Sequence, residues 1–467
     1  MDSAAHSYNF KKFAWTIMAL AYCPFRFYFS IMKDIRRKLN ELYNREEKEK
    51  NNRGYKNTSL REELKRLFYD RIPIKHFPKS QIEKDILPLE EMVNGRWINT
   101  HFGDIFRAEF IYDLSESYGA LDLNEIYQFD TSDFEDYFQI PNIDSPDNII
   151  FIDTETTGLS GGSGTVAFMV GLGWLKNQKF IIYQYFITQL SHEEGMLELL
   201  KSEFQKFTCI TSFNGKSFDI PLLNTRFVMN RLSPVLQNYP HIDLLHISRS
   251  LWKYSIENCK LKTLEIDLLG LERQDDIPGE LIPDVYFEYL RSRNLEKIEH
   301  IFYHNRFDII SMLASLILIF KTLKSKVPEK NPLTDYAKGR LYSRKKDIER
   351  SICHYKNVLE SSILCSRRLK TLLELAQLYK NNKQYEKAVP LWETALDPQF
   401  PFSLEPYIEL AKYYEHIRKD LQKALDTTNS AFFKLPERRR KEIAELIKRR
   451  ERLNTKLLRK KKKSQGE

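Results

Sequence analysis

Cysteine is scarce in this chain of 467 residues: there are five, at positions 23, 209, 259, 353 and 365, and no two stand in a Cys-x-x-Cys spacing. An odd count without paired spacing argues against a disulfide framework or a zinc ribbon and fits a reducing compartment. A clean membrane-spanning run is also missing. Phe13 to Cys23 is apolar, behind Lys11-Lys12 and ahead of Pro24 and Arg26. It is short for a spanning helix, and Arg26 interrupts the longer version. The stretch also reads as a signal-peptide core ending Leu20-Ala21-Tyr22-Cys23, although Tyr22 stands where a small residue is wanted. A third reading starts translation at Met32, where a charged helical pattern begins. The expected location is cytoplasmic, with membrane association through residues 13–23 as the alternative.

Positive charge is not general either. The net charge is +9, but residues 437–467 hold fourteen Lys or Arg against five Glu, a surplus of nine. The remaining chain is close to neutral, which excludes a generally basic surface and leaves a basic tail. Apolar content of 42% and aromatic content of 13% exclude a disordered chain, and the length allows two or three domains.

One stretch organises the rest: Asn148-Ile-Ile-Phe-Ile-Asp-Thr-Glu-Thr-Thr-Gly-Leu159. The run Ile149 to Ile152 reads as a strand buried on both faces. Side chains alternate along a strand, so Asp153 and Glu155 share a side. Two acids there repel and pay for desolvation, which a fold tolerates mainly where a cation neutralises them. A solvated strand end is the plainer meaning of a lone Asp-x-Glu.

Upstream, residues 33–50 form a charged helix and Asn51–Asn57 a polar linker. Glu91 to Ile126 alternates around Gly95, Gly103 and Gly119, as short strands and turns do. Downstream come two apolar strands, Thr165–Leu175 and Lys179–Phe186, joined through Asn177-Gln178. Ser191-His-Glu-Glu194 carries a capping-box pattern opening a helix to about Phe207, and Cys209–Phe213 is a further strand. The order implies an α/β ribonuclease-H-like domain, a mixed central sheet flanked by helices.

Two more acids fall in this pattern. Asp219 ends Asn214-Gly-Lys-Ser-Phe-Asp219, in a strand-to-helix connection. Asp308 ends Tyr303-His-Asn-Arg-Phe-Asp308 and is expected to head an apolar helix, Ile309 to Phe320. Together these residues resemble the three motifs of the DEDD superfamily of 3′–5′ exonucleases, and more closely the YprB-like ribonuclease-H-like family of predicted exonucleases. Leu159-Ser-Gly-Gly-Ser-Gly164, Phe213-Asn-Gly-Lys-Ser-Phe-Asp-Ile-Pro-Leu222, His241-Ile-Asp-Leu-Leu-His246 and Asp276-Ile-Pro-Gly-Glu-Leu-Ile-Pro283 carry that closer likeness, which spans about residues 95–320.

Asp153, Glu155, Asp219 and Asp308 offer only hard oxygen ligands, which suits Mg²⁺ or Mn²⁺ rather than zinc. Two such ions about 3.5–4 Å apart serve phosphodiester hydrolysis. The resemblance implies that Asp153 bridges them, that Glu155 and Asp308 support it, and that Asp219 acts mainly on the second. Spare negative charge predicts a site unstable without metal.

Relatives in the superfamily place a base, His five or Tyr four residues before the last Asp. Here the order is reversed, Tyr303 five and His304 four before Asp308. His304 is the expected base, with Tyr303 as the alternative. Asn214 and Asn305 are candidates for contacting nucleic acid, DNA or RNA. His241 and Asp243 either orient substrate or pack a strand end.

The last third repeats. Leu372-Leu-Glu-Leu-Ala376, Tyr379, Ala388, Trp392 and Ala395 keep tetratricopeptide spacing. Leu410-Ala411, Tyr414, Ala424, Ala431 and Pro436 follow it with one residue inserted, and Gly339, Tyr342, Ser351 and Tyr355 form a weaker first copy. Stacked helix pairs offer a concave surface for a protein partner. The expected domains are an amino-terminal segment (1–60), an accessory region packing on the core (61–146), the exonuclease-like domain (147–325), repeats (332–436) and a basic tail (437–467). The tail is either a solvated helix or a phosphate-attracting one. The implied function is a metal-dependent 3′–5′ exonuclease, with a non-catalytic scaffold or a structure-specific endonuclease as alternatives.

Overall fold

The computed structural model describes residues 88–140, 143–158, 164–325 and 327–464. The apolar segment, the charged helix, the linker and most of the Leu159–Gly164 stretch lie outside them.

The strands are β1 (Gly95–Thr100), β2 (Gly103–Asp113), a small ribbon of β3 (Ser117–Tyr118) and β4 (Leu121–Asp122), β5 (Ile149–Thr156), β6 (Ala167–Lys176), β7 (Lys179–Ile187), β8 (Cys209–Ser212) and β9 (His241–Asp243). Seven form one sheet in the order β1-β2-β7-β6-β5-β8-β9. The pairs β5–β8 and β8–β9 are parallel and the others antiparallel. This is the expected mixed sheet, with β5 inside it. The turn between β6 and β7 places both Asn177 and Gln178 at positive φ, the left-handed pair that a two-residue hairpin requires.

The described residues of the accessory region, from 88 on, do more than pack on the core. β2 pairs with β7 along nine residues, Ile105 to Asp113, so the accessory region extends the sheet itself. Its alternation of apolar and polar residues reads as short strands and turns, and the long-range partner on β7 is not visible in that pattern.

Helices cover both faces. α1 (Thr131–Phe138) precedes β5; α2 (Glu193–Phe204), α3 (Asp219–Met229), α4 (Leu244–Trp252), α5 (Ile282–Ser292) and α6 (Ile298–Lys324) follow. One face packs Ile150 and Ile152 of β5 against α2, α3 and α5. The other packs Ile149 and Phe151 against α4 and the apolar length of α6. Leu313, Leu316 and Ile317 of α6 are fully buried, each contributing roughly 1.5–3 kcal/mol.

Two expectations about helix starts are corrected. Ser191 does not cap α2; a short 3₁₀ turn, Leu190–His192, leads into it without a side-chain cap. Asp308 does not head a helix but lies well inside α6. Ile298, Ile301, Phe302, Asn305 and Ile309 are all buried and recur at helical spacing, so the helix begins ahead of the motif. Asp219, expected in a connection, is the first residue of α3.

The last third is all helical: α7 (Pro332–Arg344), α8 (Ile348–Glu360), α9 (Cys365–Asn381), α10 (Tyr385–Thr394), α11 (Glu405–Tyr413), α12 (Leu421–Lys434) and α13 (Arg440–Ser464). The small residues sit where helices meet. Ala376, Ala388, Ala411, Ala424 and Ala431 are fully buried, and a Cβ on Gly339 would stand 2.7 Å from the Tyr355 ring. The region docks directly on the sheet domain. Tyr342 donates to the Leu323 carbonyl at 2.7 Å, and Lys338 to that of Ser325 at 2.8 Å. Among the described residues no helix is long and apolar enough to cross a membrane.

Candidate functional site

β5 runs between β6 and β8, and its last residues deliver Asp153 and Glu155 beneath α6. The close approach of α6 depends on β6. A Cβ on Gly171 would lie 2.1 Å from Asn305 Oδ1, and one on Gly173 2.5 Å from Ile309. Asn305 is fully buried. Its Nδ2 donates to Asp153 Oδ2 at 2.7 Å, while its Oδ1 accepts from Gln184 Nε2 at 2.8 Å. The expectation that Asn305 contacts nucleic acid is therefore corrected: it holds Asp153 from within, and Gln184 of β7 holds Asn305.

Asp219 accepts a hydrogen bond from Thr154 Oγ1, which ties α3 to β5. The loop ahead of α3 is pinned by Asp243, whose carboxylate accepts from the backbone N–H groups of Asn214 (2.9 Å), Lys216 (3.1 Å) and Leu245 (3.1 Å). Asn214 itself is exposed and sits at φ 70°. His241 bonds Ser212 Oγ at 2.7 Å, and burial pushes its imidazole down to about 4. His241 and Asp243 thus shape the loop that presents Asp219.

α6 supplies the last group. His304 and Asp308, four apart, share a helix face, with His304 Nε2 3.8 Å from Asp308 Oδ2. Tyr303 turns aside, its ring 4.3 Å from that of Phe307. Asp276 accepts from His304 Nδ1 at 2.7 Å. Arg273, nearly fully buried, bonds both Glu265 and Asp308. Sequence reasoning missed Arg273, Glu265 and Gln184. The one available signal was Asp276, inside a segment that carried the family likeness.

The electrostatics record the crowding. Burial, with Asp308, Glu155 and Asp219 adding repulsion, holds the Asp153 carboxyl well above the ordinary range. Burial lifts Glu155 to about 7, against the pull of His304 and with Asp308 and Asp219 adding to the rise. Burial also lifts Asp219 to about 6 against the Thr154 hydrogen bond. Burial disfavours the His304 imidazolium, but the Asp276 hydrogen bond and the Asp308 and Glu155 charges outweigh it and push it up to about 10. Asp153, Glu155, Asp219 and Asp308 are all oxygen donors, the chemistry that a hard divalent ion takes. As the side chains stand, no three acid, His or Cys groups among the described residues converge on one ion position. Asp308 is turned to Arg273, Asp219 to Thr154 and Asp153 to Asn305.

Comparison with known proteins agrees with this geometry. A model of the RNase_H superfamily matches residues 150–317, which spans the sheet from β5 and most of α6. The chain is 32% identical over 289 residues to YprB of Bacillus subtilis (strain 168), covering 61% of this chain and 69% of that protein. It belongs to the YprB family. A DNA polymerase III PolC-type protein of Mycoplasma pneumoniae is 28% identical over 169 residues, covering 30% of this chain and 11% of the polymerase. A ribonuclease-H-like domain with these relatives supports a nuclease.

Proposed function

We propose that the protein is a divalent-metal-dependent 3′–5′ exonuclease acting on DNA or RNA. The observation that carries this reading is the placement of Asp153 and Glu155 on β5 with Asp219 tied to Thr154 beside them and His304 and Asp308 on the α6 face above, with burial lifting Asp153, Glu155 and Asp219. Asp153, Glu155, Asp219 and Asp308 are the proposed ligands of two Mg²⁺ or Mn²⁺ ions, with Asp308 turning away from Arg273 to take part. Bound ions supply positive charge against the charge that develops on the attacking and leaving oxygens. With divalent charge bound, His304 releases to solvent the Nε2 proton that it holds in the metal-free site, and the neutral imidazole then takes the proton of the attacking water at Nε2. The water oxygen joins phosphorus, the bond from phosphorus to the 3′ oxygen breaks, and that oxygen leaves as a hydroxyl with a proton from solvent. Asn214, exposed beside Asp219, is the proposed contact to phosphate or sugar.

The helical region is read as tetratricopeptide-like, with a protein partner in its concave groove. Among the described residues Cys209, Cys259, Cys353 and Cys365 form no disulfide. The test is a panel of end-labelled single- and double-stranded DNA and RNA with Mg²⁺, Mn²⁺ or EDTA. Metal-dependent release of mononucleotides from the 3′ end supports the reading; internal cuts would replace it with an endonuclease. The ion pair of Arg273 with Asp308 favours a second reading, a scaffold that binds without cutting. Binding in EDTA with no cleavage in either metal would select it.

A further inference from the structure

We propose that Asp276 is a positioning residue for His304, acting through the imidazole rather than on the metal ligands or the substrate. The proposal rests on the nuclease reading for its kinetic test and on geometry for its argument.

A histidine four residues before Asp308 on a continuous helix shares a face with it, yet the helix alone leaves the ring free to turn about χ1 and χ2. What fixes the ring comes from outside α6. Asp276 Oδ1 lies 2.7 Å from Nδ1, and the Asp276 side chain is only 4% exposed. A carboxylate accepts and never donates, so Nδ1 carries the proton and Nε2 is the nitrogen left to face Asp308, 3.8 Å away. Asp276 is itself held: Arg273 Nη1 stands 3.7 Å from its Oδ2 and Lys262 Nζ 3.8 Å. Arg273 is anchored in turn by Glu265, which is buried in a short π-helical turn, Glu265–Leu269. Gly279, three residues past Asp276, leaves the approach to Nε2 open; even its Cβ would stand 3.8 Å from that atom. The segment 265–279 is thus a bracket around one imidazole.

The experiment is a double-mutant cycle on the full chain with Mg²⁺. Asp276→Asn is expected to lower kcat by up to the ~10²–10⁴-fold that a general base contributes, with KM little changed. In a His304→Ala background the same change should cost nothing further. Asp276→Glu, which keeps the carboxylate, should restore part of the loss. An equal loss in both backgrounds, or none in the wild-type background, overturns the proposal. A second readout needs no activity. In metal-free protein labelled with ¹⁵N-histidine, His304 should show a downfield Hδ1 resonance that survives Asp308→Asn and vanishes in Asp276→Ala, which removes the acceptor. Its presence in Asp276→Ala overturns the proposal even if the chain proves not to cut nucleic acid. Failure of the nuclease reading shows separately, as no cleavage by wild type on any substrate.

Discussion

Two sets of buried acids among the described residues, Glu409 with Glu415 and the acids at the end of β5, are treated in opposite ways. In the helical region each has cations at hand. Glu415 accepts from Arg449, Arg452 and Lys456, and Glu409 from Lys380 and Lys412. Burial raises both carboxyls, but the hydrogen bonds and charges of these partners win, and both lie below the usual range. At the end of β5 burial is not overcome: Asp153, Glu155 and Asp219 all rise, although His304 pulls Glu155 down and Thr154 bonds Asp219. A buried acid with its own cations is a fastening between helices. Buried acids whose rise is not offset cost stability, and under the proposed function that cost is what a bound divalent cation would relieve.

The sharpest break in the comparison is to neutralise one acid of each kind. Asp153→Asn keeps volume and removes charge that the ions require. Cleavage is expected to fall by at least about 10³-fold, while the metal-free protein melts at the same or a higher temperature. Glu415→Gln should leave cleavage intact and cost about 1–3 kcal/mol in urea unfolding, since Arg449, Arg452 and Lys456 lose their acceptor. Undiminished hydrolysis by a contaminant-free Asp153→Asn preparation would end the nuclease assignment.

The next largest effect concerns the base. His304→Ala under saturating Mg²⁺ should lower turnover by about 10²–10⁴-fold, and Tyr303→Phe should change it little, because Tyr303 packs on Phe307. The reverse ranking would move the role to Tyr303.

These residues differ in how legible they were from sequence alone. Asp153 and Glu155 could be read because the strand that carries them is local, eight residues of buried β5 with a fixed alternation. The second and third acids were legible as motif ends, but the surroundings that explain them were not. Gln184 and Asn305 are 121 residues apart and Arg273 and Asp308 are 35 apart. No local period links such partners. Asn305 looked like a substrate contact because Asn beside a motif is polar; only the approach of α6 to Gly171 shows that it is sealed inside. The strand pairing of β2 with β7 was hidden for the same reason.

The two groups of acids also titrate with opposite consequences. Glu155 and Asp219 hold protons up to about 7 and 6, and His304 up to about 10. Between their unfolded values and these, the folded state binds protons that the unfolded state has released, so stability falls as pH rises. Glu409 and Glu415, depressed in the fold, add stability above the ordinary glutamate range that is lost as pH falls below it. In EDTA the melting temperature should therefore peak on the acid side of neutrality and drop by about 5 °C or more towards pH 9. Mg²⁺ should flatten that fall, because ions take the place of the protons they release. A flat profile in EDTA would remove the electrostatic argument for the site.

The smallest expected effect tests whether the tail belongs to the fastenings alone. α13 is not a free basic arm. Leu446 and Leu453 are buried against α11 and α12, and three of its cations are committed to Glu415. Deleting residues 438–467 would therefore strip the end of the helical region and mix lost packing with lost charge. Arg459 and Lys460 lie beyond these contacts and are exposed, so Arg459→Gln with Lys460→Gln changes charge while sparing the packing. If these side chains meet phosphates, the slope of log affinity against log salt should flatten by roughly 0.7–0.9 for each lost contact, with the melting temperature unchanged. An unchanged slope would show that Arg459 and Lys460 meet solvent and not phosphate.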